Sequence, residues 1–96
     1  MQMEKRTLLL FMQRILHNES PERAKLALIQ LQQILRAQGA DDEAQRLVAD
    51  TLKSLPEAID IATRQEFISE EDVALAKKRA LRREEYEFRM ARTGRC

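Results

Sequence analysis

Two glycines and two prolines serve all 96 residues of this chain. The backbone therefore has few places to reverse tightly, and a sandwich or barrel, which needs a turn at every strand end, is excluded. The stretches between the breakers show no alternation of apolar and polar residues, no Asn-Gly or Asp-Gly hairpin and no β-branched cluster. Apolar side chains recur instead at intervals of three and four, the period of an α-helix. The expectation is a single all-α domain of four to five helices, with more than about 65% helix against about a third in an average domain. It has an antiparallel helical hairpin at its core and a long C-terminal helix.

Local signals place the helices. From Glu4 to His17, Leu8, Phe11, Met12 and Ile15 form a stripe that Leu9, Leu10 and Leu16 extend round the cylinder, which predicts more than one buried face. Ser20-Pro21 restarts the chain: a serine oxygen accepts an orphan amide, and proline suits the first helical position. The second helix runs to about Ala37 on Ala24, Ala27, Leu28, Leu31, Ile34 and Leu35, with Leu26 and Ile29 beside the stripe as a second contact, and Gly39 ends it. Asp41, Asp42 and Glu43 open a third helix carrying Ala44, Leu47, Val48, Thr51, Leu52 and Leu55. Pro56 should close it by pushing residue 55 out of the helical region. A shorter segment from Glu57 to about Glu66 carries Ala58, Ile61 and Ala62. Ser69 and Asp72, three apart, read as a reciprocal capping box, with Ile68 and Val73 as its hydrophobic staple. Nothing stops the helix that begins there before Gly94. At about 1.5 Å per residue it outruns the globule that 96 residues can make, so residues 1–82 are expected to form the core and 83–96 a projecting end. Leu31 and Leu35 should face Leu47, Val48 and Leu52 across the Gly39 turn.

Within this frame, residues 24–56 resemble a single tetratricopeptide-type hairpin. Leu28, Leu31 and Leu35 stand where that motif has its large first-helix residues, Gln38-Gly39 matches its turn, Asp42-Glu43-Ala44 its second-helix opening, and Pro56 its closing proline. The chain departs from the pattern at Gln32, where the family has a small residue, at Leu28, where it has tryptophan, and at Thr51, where it has alanine. Asp72, Val73 and Ala74 faintly echo a second opening. The resemblance implies a protein or peptide ligand rather than a reaction.

Chemistry-bearing motifs are scarce. His17 is the only histidine and Cys96 the only cysteine, so no multi-imidazole zinc site, histidine-relayed nucleophile or intrachain disulfide can be assembled. His17 reads as a helix C-terminal residue facing the negative end of the dipole, and the acidic clusters read as helix starts. Phosphate-binding glycine loops, Cys-x-x-Cys and Gly-x-Ser-x-Gly are absent. The expectation is no enzyme, no metal and no cofactor. The longest apolar run, Leu8 to Met12, is far short of the roughly 20 residues that span a bilayer, and no signal-peptide pattern is present; a soluble protein of the reducing cytoplasm is expected.

Net charge is only +1, which removes the global field of a polycation binder. The charge is nevertheless uneven: residues 77–95 hold eight basic and three acidic side chains, a local excess of five. Interleaved with glutamates they could simply be a solvated helical face. Leu81, Tyr86, Phe88 and Met90 fall among them, and Tyr, Met and Arg are the residue types enriched at interface cores. The expected partner-binding set is Arg82, Arg83, Tyr86, Phe88, Arg89, Met90 and Arg92. The functional expectation is a small interaction module, an adaptor, chaperone-like binder or inhibitor of a larger protein, with a homo-oligomer possible. The alternative is nucleic-acid binding through the basic helix, against which Glu84, Glu85 and Glu87 argue.

Overall fold

A computed structural model describes residues 4–18 and 20–93, with side chains as far as residue 90. Helix takes up 86% of it, in five helices and without a strand among the described residues, as an all-α fold with a long C-terminal helix requires. The helices are α1 (Lys5–Asn18), α2 (Pro21–Ala37), α3 (Asp42–Lys53), α4 (Leu55–Arg64) and α5 (Glu70–Thr93).

Each boundary has a local cause. The Ser20 side chain accepts from the Arg23 amide ahead of Pro21, and Asp41 accepts from the Ala44 amide at 3.0 Å. At the end of α2, the Ala40 amide bonds back to the Leu35 carbonyl and the Gly39 amide to that of Arg36, the paired closure that needs a left-handed residue; Gly39 has φ +68°. The capping box at α5 is complete: the Ser69 amide donates to Asp72 Oδ2 at 2.9 Å and the Asp72 amide to Ser69 Oγ at 3.2 Å.

The α3–α4 junction corrects the expectation for Pro56. Leu55 already belongs to α4, and the break falls on Ser54, whose φ of −112° and ψ of 35° leave helical geometry. Proline needs no hydrogen-bond donor in the first turn of a helix, so Pro56 opens α4 rather than closing α3. Ser54 is buried, its hydroxyl donating to the Asp50 carbonyl at 2.6 Å.

One cluster holds the body together. Leu8, Met12 and Leu16 of α1, Leu28, Leu31 and Leu35 of α2, Leu47 and Val48 of α3, Ala58, Ile61 and Ala62 of α4 and Ile68, Val73 and Ala76 meet in it, and Leu52 packs against its edge. The α2–α3 facing expected across the Gly39 turn is present in that cluster. Four apolar assignments are corrected. Phe11, Leu26 and Ile34 are exposed, and Leu10 joins them at the surface. A helix on the outside of a small body buries one stripe, and the apolar residues beyond that stripe have no second layer to meet.

Helix α5 lies between α3 and α4. Lys77 pairs with Asp50 of α3, while Arg79 pairs with Asp60 and Arg83 with Glu57 of α4. These pairs make α4 antiparallel to α5 and set Arg83 level with the first turn of α4. Val73, Ala76 and Ala80 line the inward face, small enough to let three helices approach. Beyond Arg83 the helix runs past the body, and the molecule measures 57 × 27 × 23 Å.

Candidate interaction surface

On α5 the residues that continue the inward line Val73, Ala76, Ala80 at intervals of three and four are Arg83, Glu84 and Glu87. The apolar stripe thus ends in charge where the body ends. Every residue from Leu81 to Met90 is exposed, and Leu81, Tyr86, Phe88 and Met90 each keep more than half of their surface.

The structure does not gather these four into one patch. Leu81 and Phe88, seven apart, share one flank; Tyr86 and Met90, four apart, share the other. Arg82 and Arg89, also seven apart, lie between the two flanks on the outer side. Arg83 faces the opposite way: its Nε donates to Glu57 Oε1, and its Nη1 lies 3.8 Å from Glu87 Oε1. Glu57 raises the Arg83 pKa above its already high value, so the guanidinium stays charged. Arg83 therefore ties α5 to the body, one residue past the boundary expected at 82. The side chain of Arg92, the last of the seven expected contacts, lies outside the described residues.

A second apolar area lies on α1 and was not foreseen as a surface. Leu10 and Phe11 are close to half exposed, and Phe67 in the α4–α5 connection is 63% exposed. Leu9, Leu10, Phe67 and Ile68 line a groove of about 600 Å³ with Lys5, Arg6 and Ser69 on its rim. The sequence did contain its signal. Five consecutive apolar residues, Leu8 to Met12, go more than once round a helix with 3.6 residues per turn, so one packed face could not hide them all. Lys5 reaches both Glu43 and Glu70, and these carboxylates raise its pKa above the usual 10.5.

Gln13, Arg14, His17 and Asn18 of α1 face Thr63 to Glu66 across a polar hollow of about 440 Å³. Gln13 is buried, and its Nε2 donates to the carbonyls of Ala62 and Gln65, both at 3.0 Å. It closes the C-terminus of α4 from another helix. Among the described residues no three His, Cys, Asp or Glu side chains gather in a way that could hold a metal ion, and no helix is long and apolar enough to cross a membrane. No family model matches the chain, and comparison with curated proteins and with solved structures returned no match either.

Proposed function

We propose that the protein is a small helical interaction module, an adaptor, chaperone-like binder or inhibitor without chemistry of its own, whose partner docks on the projecting end of α5. The exposure of Leu81, Tyr86, Phe88 and Met90 on a helix that outruns its body carries this reading. A helix of this length in water is held mainly by packing of one face rather than by propensity. Beyond Arg83 no residue as far as Met90 is buried, and Tyr86, Phe88 and Met90 there, with Leu81 just before it, offer exposed apolar surface to a docked partner. Arg82 and Arg89 between the two apolar flanks supply the polar contacts that orient a docked protein.

The test uses the full chain and a chain ending at Glu84 as baits, with circular dichroism confirming that both are folded. Loss of the retained protein on truncation is the expected result; equal retention overturns the reading. Nucleic-acid binding is the second reading, favoured by the exposed Lys78 and Arg82, neither of which has an ion pair to a described residue. It requires affinity for a DNA or RNA duplex that falls steeply with salt and drops further in Arg82→Glu/Arg89→Glu.

A further inference from the structure

The groove beside α1 has an apolar floor and a basic rim. Its floor, Leu9 and Leu10 on one side and Phe67 and Ile68 on the other, lies between the first turns of α1 and the connection from Gln65 to Ser69. That connection runs antiparallel to α1, since the Gln65 carbonyl accepts from Gln13 while Glu70 pairs with Lys5. Gln65 is extended, with φ −131° and ψ 154°, and the main-chain amides of Glu66, Phe67 and Ile68 donate to no described residue. Lys5 and Arg6 stand on the rim, Arg14 borders the shallower hollow that shares Leu10 with the groove, and no carboxylate lines either one. Lys5 is already engaged by Glu43 and Glu70. Arg6 and Arg14 are exposed and make no ion pair with a described residue, not even with Glu66 in the polar hollow further along α1.

We propose that this groove takes an extended acidic segment of another protein, with two apolar side chains on the floor and a carboxylate at each end of them. It is a second docking site, independent of the α5 end. The spacing of the arginines sets the pattern. Arg6, Leu10 and Arg14 follow one another at intervals of four on one side of α1, so the two arginines stand about 12 Å apart along its axis. Four residues of extended chain cover about 13 Å, and alternate side chains point to opposite sides. In the order acidic, apolar, any residue, apolar, acidic, the two apolar side chains turn to the floor while both carboxylates turn outward, level with Arg6 and Arg14. The open amides of the connection supply donors to the carbonyls of such a segment, as a neighbouring strand would. A volume of about 600 Å³ is in the size class of ligand pockets. This chain does not supply the segment itself. Its one pair of carboxylates four apart, Glu66 and Glu70, has Ser69 at the second apolar place and flanks the groove's own wall. A lipid surface is drawn by clusters of about four to eight basic side chains, whereas here two unpaired arginines border a concave floor.

The probe is a fluorescein-labelled, C-terminally amidated peptide, Ser-Glu-Leu-Ser-Phe-Glu-Ser, titrated with the purified full chain and read by fluorescence anisotropy beside a counterpart carrying Lys for both Glu. The acidic probe should bind about tenfold more tightly than the counterpart. Arg6→Glu/Arg14→Glu should reverse that order, which a loss of fold would not do. Phe67→Ala should weaken the acidic probe about tenfold and leave the unfolding midpoint unchanged, because Phe67 is exposed. Phe88→Ala, at the other end of α5, should leave the affinity as it is, so this site and the α5 site stand or fall separately. Amide exchange from Glu66 to Ile68 should slow when the acidic probe is saturating. No binding of the acidic probe at about 1 mM overturns the proposal, and so does equal binding of the counterpart, an unreversed order in the double variant or undiminished affinity in Phe67→Ala. Self-association at about 100 µM that Phe67→Ala abolishes would show a second copy covering the groove. Binding to phosphatidylserine vesicles without binding to the probe would assign it to a lipid surface. Either result also overturns the proposal.

Discussion

Gly39 holds φ +68° with nothing within 4 Å of the place where a side chain would begin. Any cost of substitution there is backbone strain and not a clash. Gly39→Ala should destabilise by about 1 to 2 kcal/mol, and Gly39→Asn by less, since asparagine tolerates the left-handed region. Equal denaturant midpoints for Gly39→Ala and the parent would remove the turn from the causes of the fold. Gln13 is the opposite case for legibility. Its neighbours Met12 and Arg14 give no hint that its amide serves the Ala62 and Gln65 carbonyls, because those partners lie 49 and 52 positions away. Gln13→Leu keeps the volume and strips the two carbonyls of their donor. A loss of about 1 to 3 kcal/mol is expected, with faster amide exchange at the α4 C-terminus as its local signature. A turn glycine is legible because its reason is local; a buried donor that serves a distant helix is not.

Among the elements, α5 was the most legible at its start and the least along its side. The Ser69–Asp72 box follows from three-residue spacing alone, and Ser69→Ala should cost about 1 kcal/mol in thermal or denaturant unfolding. Periodicity also placed α2 and α3 and the Gly39 turn between them. What periodicity cannot supply is the width of the buried stripe. Phe11 and Ile34 sit next to buried Met12 and Leu35, and only the positions of neighbouring helices decide which of two adjacent apolar residues is covered. The same gap hid Arg83. Its sequence neighbour Arg82 looks equivalent, yet the Glu57 carboxylate, whose Oε1 accepts from Arg83 and whose Oε2 is buried with no hydrogen-bond partner among the described residues, lies on one side of the helix only. Arg83→Ala should lower the unfolding midpoint and Arg82→Ala should leave it unchanged. Equal effects would mean that the Arg83–Glu57 contact does not anchor α5.

At the scale of the whole molecule, a Cα radius of gyration of 14.7 Å exceeds the roughly 12.5 Å of a compact chain of this length. The excess is the part of α5 beyond the body, and it divides the molecule into regions of unequal stability. Leu28 is fully buried in the shared cluster, so Leu28→Ala removes apolar contacts that several helices depend on and should cost about 2 to 5 kcal/mol, a large part of what a domain this small has. The end of α5 has no residue in that cluster. Its helix is supported there chiefly by its own hydrogen bonds, and local opening needs no disruption of the core. Amide exchange should therefore fall into two classes along one continuous helix: slow from Val73 to Ala80, fast from Glu85 to Met90. Leu28→Ala should speed the first class and leave the second unchanged. Uniform protection along α5 would show that the projecting half is held by its own body, and the surface from Leu81 to Met90 would then lose its reason to seek a partner.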